Sequence, residues 1–114
     1  MTARVRNITF DCADPYTLAG FWSQVTGYRE DPEDPNRPEH QEAALVGPDG
    51  QANLLFIRVP EPKTAKNRMH FDLRAPGAVE AEVARLEALG ATLVSGGDDL
   101  TVMQDPGGNE FCVE

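Results

Sequence analysis

The sequence predicts an α+β fold made of two tandem βαβββ modules, and three observations carry that prediction. Stretches that alternate apolar and polar residues precede a helical pattern twice, at 4–12 and again at 68–74. Each helical pattern ends on a glycine, Gly27 and then Gly90. A shift of 63 residues lays the first half on the second without a gap, so that Asn7 falls on His70, Ile8 on Phe71, Phe10 on Leu73 and Gly27 on Gly90. Either module is too small to bury a good core alone, so the two are expected to share one.

In R-V-R-N-I-T-F-D-C (4–12), Ile8, Phe10 and Cys12 are apolar while Asn7, Thr9 and Asp11 are polar, the pattern of a half-buried strand. Asp14 then suits an N-cap and Pro15 a first helical position. Leu18, Phe21, Trp22 and Val25 form one apolar stripe, which assigns Trp22 to the core. Residues 30–42, E-D-P-E-D-P-N-R-P-E-H-Q-E, hold three prolines and many acids and read as a solvated loop, with a short strand near Tyr28 at most. A-A-L-V-G (43–47), P-D-G (48–50) and N-L-L-F-I-R-V (53–59) read as a hairpin. P-E-P-K-T-A-K (60–66) reads as linker, giving module one 1–60, linker 61–67 and module two 68–114.

The second module opens with the strand R-M-H-F-D-L-R (68–74). A helix over 78–89 follows, with Val79, Val83 and Leu86 inward. Strands are predicted at 91–94, 99–103 and 109–113, with the turn D-P-G-G (105–108) before the last.

Composition narrows the function. The 114 residues carry a formal charge of −9, against the basic footprint that nucleic acid or an anionic membrane surface requires. No apolar run approaches the roughly 20 residues of a membrane span. Met1–Asn7 lacks the apolar core of a signal peptide, so a cytoplasmic location is expected. Cys12 and Cys112 are too few for a stapled scaffold and form no CxxC pair. G-P-D-G and D-P-G-G are turns, not nucleotide loops, since no helix follows either, and no cofactor is expected.

The order strand, glycine-closed helix, hairpin and D-P-G-G-N-E-F-C-V (105–113) resembles the vicinal oxygen chelate superfamily, which includes glyoxalase I, bleomycin-resistance proteins and extradiol dioxygenases. I-T-F-D-C-A-D-P (8–15), L-L-F-I-R-V-P-E-P-K (54–63), K-N-R-M-H-F-D-L (66–73) and L-G-A (89–91) carry the resemblance, which is strongest to the small glyoxalase-like domain group. It implies curved sheets around a cavity, helices outside, and a homodimer. It also implies where metal-dependent members place ligands: the first strand of each module, here Asn7 and His70, and a late position in each, here about Phe56 and Cys112. Only His70 is a ligand of the usual type. His70 plus Cys112 gives two donors where three or four are needed, so no metal is expected.

Three readings of His70 remain: a polar residue of a pocket wall, a general acid or base oriented by Asp72 on the same strand face, and a metal ligand. Alternation nominates a ligand-binding surface of Asn7, Thr9 and Asp11, then Leu54, Phe56 and Arg58, then His70, Asp72 and Arg74, and finally Glu110 and Cys112. That mixture suits a small polar-aromatic ligand. A bland reading makes Arg58 the partner of Asp11, Asp72 or Glu110 in a charge network, and Cys112 an inert thiol. The expected function is small-molecule binding without the usual metal. The alternatives are an enzyme, either metal-free through His70 or a metal-dependent lyase or isomerase, and an accessory module that binds protein through loop 30–42.

Overall fold

The structure, a computed structural model, describes residues 1–97 and 100–114. The first residue of the predicted strand 99–103, Asp99, lies outside them. The chain divides into two compact units, Met1–Pro62 and Lys63–Glu114. Two helices and two small sheets give the α+β architecture expected of the sequence. No helix among the described residues is long and apolar enough to cross a membrane.

The first unit contains β1 (Asn7–Cys12), α1 (Pro15–Thr26), β2 (Glu42–Leu45) and β3 (Asn53–Arg58). Its sheet runs β1-β3-β2, with β3 parallel to β1 and antiparallel to β2. The parallel pair needs a crossover, which α1 supplies. Asp14 caps the helix, its carboxylate accepting from the Thr17 amide at 3.2 Å and the Thr17 hydroxyl at 2.7 Å. Gly27, at φ 78°, ends it and donates its N–H to the Ser23 carbonyl at 2.8 Å.

Leu18, Phe21 and Trp22 are buried, as the stripe predicts. Phe10 stacks on Phe56 with centroids 5.0 Å apart and tilts against Trp22 at 6.1 Å. Phe21 meets Trp22 edge-on at 5.2 Å. Burying each such side chain stabilises the fold by about 1.5–3 kcal/mol.

Between β2 and β3, Asp49 and Gly50 both take positive φ (49° and 80°), and Gln51 N–H donates to the Pro48 carbonyl at 2.9 Å. Positive φ at both central positions is what a hairpin turn of the I′ kind demands, and D-G supplies it. The short strand predicted near Tyr28 reduces to a single bridge, Arg29 to Val46. Loop 30–42 is pinned through Asn36, whose amide accepts from Ala44 N–H and donates to Ala44 C=O, each at 2.9 Å.

The second unit contains β4 (Asp72–Leu73), α2 (Val79–Leu89), β5 (Thr92–Ser95), β6 (Thr101–Gln104) and β7 (Glu110–Val113), in the sheet order β4-β7-β6-β5. Leu86, Met103, Phe111 and Val113 form its core. Glu82 is buried on α2 because Arg85, one turn on, binds its carboxylate at 2.8 and 2.9 Å. Asp105 holds the turn before β7, accepting from the amides of Gly107 and Asn109 at 2.9 Å each.

β4 is two residues long where alternation predicts 68–74. The cause is Asn67. In the first unit the ladder includes a direct bond from Asn53 N–H to Arg6 C=O at 2.9 Å. The matching bond in the second unit would run from Glu110 N–H to Met69 C=O. Instead Glu110 N–H donates to Asn67 Oδ1 at 2.8 Å, while Asn67 Nδ2 donates to the carbonyls of Met69 and, at 3.3 Å, Glu110. One side-chain amide is spliced into the ladder, and residues 68–70 leave the strand.

Candidate functional site

The parallel register of β1 and β3 decides which predicted site residues share a surface. It pairs Asn7 with Asn53, Thr9 with Leu55 and Asp11 with Ile57. Residues paired across a ladder point to the same side, so Asn7, Thr9 and Asp11 share their exposed face with Asn53, Leu55 and Ile57. Leu54, Phe56 and Arg58 lie on the other face, which corrects their assignment to the ligand-binding surface. Leu54 and Phe56 are buried, Phe56 completely. Arg58 meets no carboxylate oxygen among the described residues. Its guanidinium donates to the carbonyls of Ala13 at 2.8 Å and Pro38 at 3.4 Å, tying β3 to the loops on either side.

In the second unit the predicted residues do come together. His70 Nδ1 lies 3.1 Å from Asp72 Oδ1, with side chains 40% and 58% exposed. Asp72 is the ladder partner of Cys112, so the thiol of β7 lies beside the carboxylate of β4. One donor atom each from His70, Asp72 and Cys112 fall within 4.8 Å of one another. Cys112 is buried, and burial pushes its thiol pKa up. The Asp72 charge, and the hydrogen bond that the thiol gives to it, raise it further, while Lys66 pulls the other way. The resting thiol is therefore protonated at neutral pH. Arg74 is exposed, next to β4.

Glu110 is occupied by its own contacts. Lys63 Nζ binds both carboxylate oxygens, at 2.8 and 3.1 Å, and Asn67 N–H donates to Oε1 at 3.1 Å. Lys63 also donates to the carbonyl of Ala65. The Lys63 hydrogen bond, more than the opposing cost of burial, holds the Glu110 carboxyl below its ordinary value. Sequence reasoning took 61–67 as linker, with Lys63, Lys66 and Arg68 as a basic cluster suited to anchoring it to acidic residues; it missed Asn67, which with Lys63 moors the His70 segment to β7.

The metal set implied by the family does not fit this chain. Phe56 offers no donor atom and sits in the core, and Asn7 offers only an amide. Asp72, read from the sequence as an orienting group and a residue of the ligand-binding surface, supplies a third donor next to His70 and Cys112. Elsewhere, a groove of about 520 Å³ in the first unit is lined by Tyr28, Arg29, Glu30, Asp31, Val46 and Pro48.

The comparisons with known proteins agree with this architecture. A family model described as a glyoxalase-like domain matches residues 7–114. Among solved structures, a glyoxalase/bleomycin resistance protein/dioxygenase family enzyme from Burkholderia phytofirmans PsJN is 20% identical, with 97% of each chain covered and a TM-score of 0.76. A possible glyoxalase from Bacillus cereus is 17% identical over 98% of each chain, with a TM-score of 0.69. The fosfomycin resistance protein FosX from Mesorhizobium loti is 14% identical over 100% of this chain and 92% of its own, with a TM-score of 0.73. No curated protein matches the chain. At these identities the structural neighbours speak to the fold alone.

Proposed function

We propose, for a chain that belongs to the glyoxalase-like domain family of the vicinal oxygen chelate superfamily, that it binds a small polar-aromatic molecule at the exposed pair His70 and Asp72, without the usual two-module metal set. The observation that carries this is the His70–Asp72 pair, 3.1 Å apart and solvent-facing on both sides. A carboxylate that accepts from Nδ1–H fixes the imidazole and leaves Nε2 as an acceptor toward a ligand. Asn7, Thr9, Asp11 and Arg74 are the further exposed polar residues of the reading. A cytoplasmic homodimer belongs to it as well, supported by the family resemblance, and for the compartment by two cysteines that are thiols.

The same pair favours a second reading, a metal-free enzyme in which His70 moves a proton and Asp72 orients it. Amide NMR spectra recorded with benzoate, catechol and imidazole as probes test the binding site. Shifts concentrated at residues 70–74 and 110–113 are expected, and shifts confined to the Tyr28–Val46 groove would overturn it. Loss of turnover in His70→Ala with probe binding intact would move the assignment from binder to enzyme.

A further inference from the structure

We propose that His70, Asp72 and Cys112 form a thiolate-containing zinc site within the second unit, with a fourth coordination position open toward solvent. The inference does not depend on the small-molecule reading, because it concerns metal alone, and its donors all come from one unit. Two neighbouring strands fix two of the donors. Asp72 opens β4 and the ladder sets Cys112 opposite it, while His70 stands two residues before Asp72 in the segment that leads into the strand.

Distances decide whether an ion fits. Tetrahedral zinc, with bonds of about 2.0–2.1 Å to N or O and about 2.3 Å to S, needs its donors roughly 3.3–3.6 Å apart. The His70–Asp72 separation of 3.1 Å is already near that, and all three donors lie within 4.8 Å. Closing the set brings the most separated donors nearer by about 1 Å. One thiolate, one imidazole and one carboxylate favour zinc over the harder manganese or magnesium. Exposure of His70 and Asp72 leaves the fourth position on their side, while Cys112 binds from beneath. On binding, the ion replaces the Cys112 thiol proton, which passes to solvent, and no electron is transferred.

The test uses the full chain, stripped with chelator, then titrated with Zn²⁺ by calorimetry and with Co²⁺ by absorption spectroscopy. One equivalent should bind, and Co²⁺ should produce a thiolate-to-metal charge-transfer band. The band should survive Cys12→Ser and vanish in Cys112→Ser. Zinc affinity in Cys112→Ser should fall by more than the roughly 10–100-fold that a supporting residue costs. Asp72→Asn should keep the band and lose affinity. No band in the wild-type protein, a band that persists in Cys112→Ser, or unchanged zinc affinity in Asp72→Asn overturns the assignment. If Cys112→Ser fails to fold, the band in Cys12→Ser decides, since only Cys112 is then left to produce it.

Discussion

Replacing Asn67 with alanine isolates the splice in the β4–β7 ladder. The side chain accepts from Glu110 N–H at 2.8 Å and donates to Glu110 C=O at 3.3 Å, besides holding Met69 C=O. A neutral hydrogen bond contributes about 1 kcal/mol net, and leaving the half-buried Glu110 N–H without a partner costs about 1 kcal/mol more. The expected loss is therefore about 2–3 kcal/mol. With a urea slope of about 1–3 kcal/mol/M, the midpoint should fall by roughly 1 M at unchanged slope. Hydrogen exchange reads the same change locally: the Glu110 amide should lose roughly 30-fold of protection, while the Leu55 amide in the other unit keeps its own. If Glu110 stays protected and the midpoint moves by less than about 0.3 M, the ladder closes without the amide and the reasoning fails.

Three further outcomes follow from the packing and the charges. Phe56→Ala should destabilise the first unit by about 3–5 kcal/mol, because the ring is fully buried against Phe10; a urea midpoint close to wild type would return Phe56 to the ligand surface. Glu110 has a depressed carboxyl, so its contribution is present above its ordinary value of 4.5 and is lost as pH falls through the lower folded value. Wild type should thus exceed Glu110→Gln in stability at pH 7, with the gap closing in denaturation experiments near pH 3; a gap constant with pH contradicts this. Iodoacetamide at pH 8 should alkylate Cys112 more slowly in the folded than in the urea-unfolded chain, since burial and Asp72 keep its thiol protonated; faster labelling when folded would refute that.

Much of the fold was legible in the sequence because its signals are local. The α1 stripe, the Asp14 cap and the glycines at 27 and 90 depend on residues within one or two turns of each other. The face of β3 was not legible. N-L-L-F-I-R-V is apolar at four successive positions, and its polar ends, Asn53 and Arg58, have opposite parity, so alternation allows either phase. Only pairing with β1, a contact made across more than forty residues, selects one. Distance in sequence also hid the pairing that completes the candidate site. Asp72 and Cys112 meet through a ladder register that neither strand specifies alone. His70, by contrast, was found from its own strand and the internal repeat.

The Asn36 clamp on Ala44 has a consequence for how this chain meets copies of itself. A bare sheet edge offers alternating N–H and C=O groups on which an incoming strand can add. On β2, Ala44 already has both groups engaged by one amide, and the next outward-facing contact is the Arg29–Val46 bridge. A side-chain amide satisfies the edge but carries no backbone onward, so it ends the ladder where a strand would extend it. At the other sheet's margin, β5 has a register shift between Leu93 and Ser95, which bends the edge away from the flat geometry that a joining strand needs. Two unrelated local devices thus blunt one edge of each sheet, β2 and β5, against the addition of a further strand.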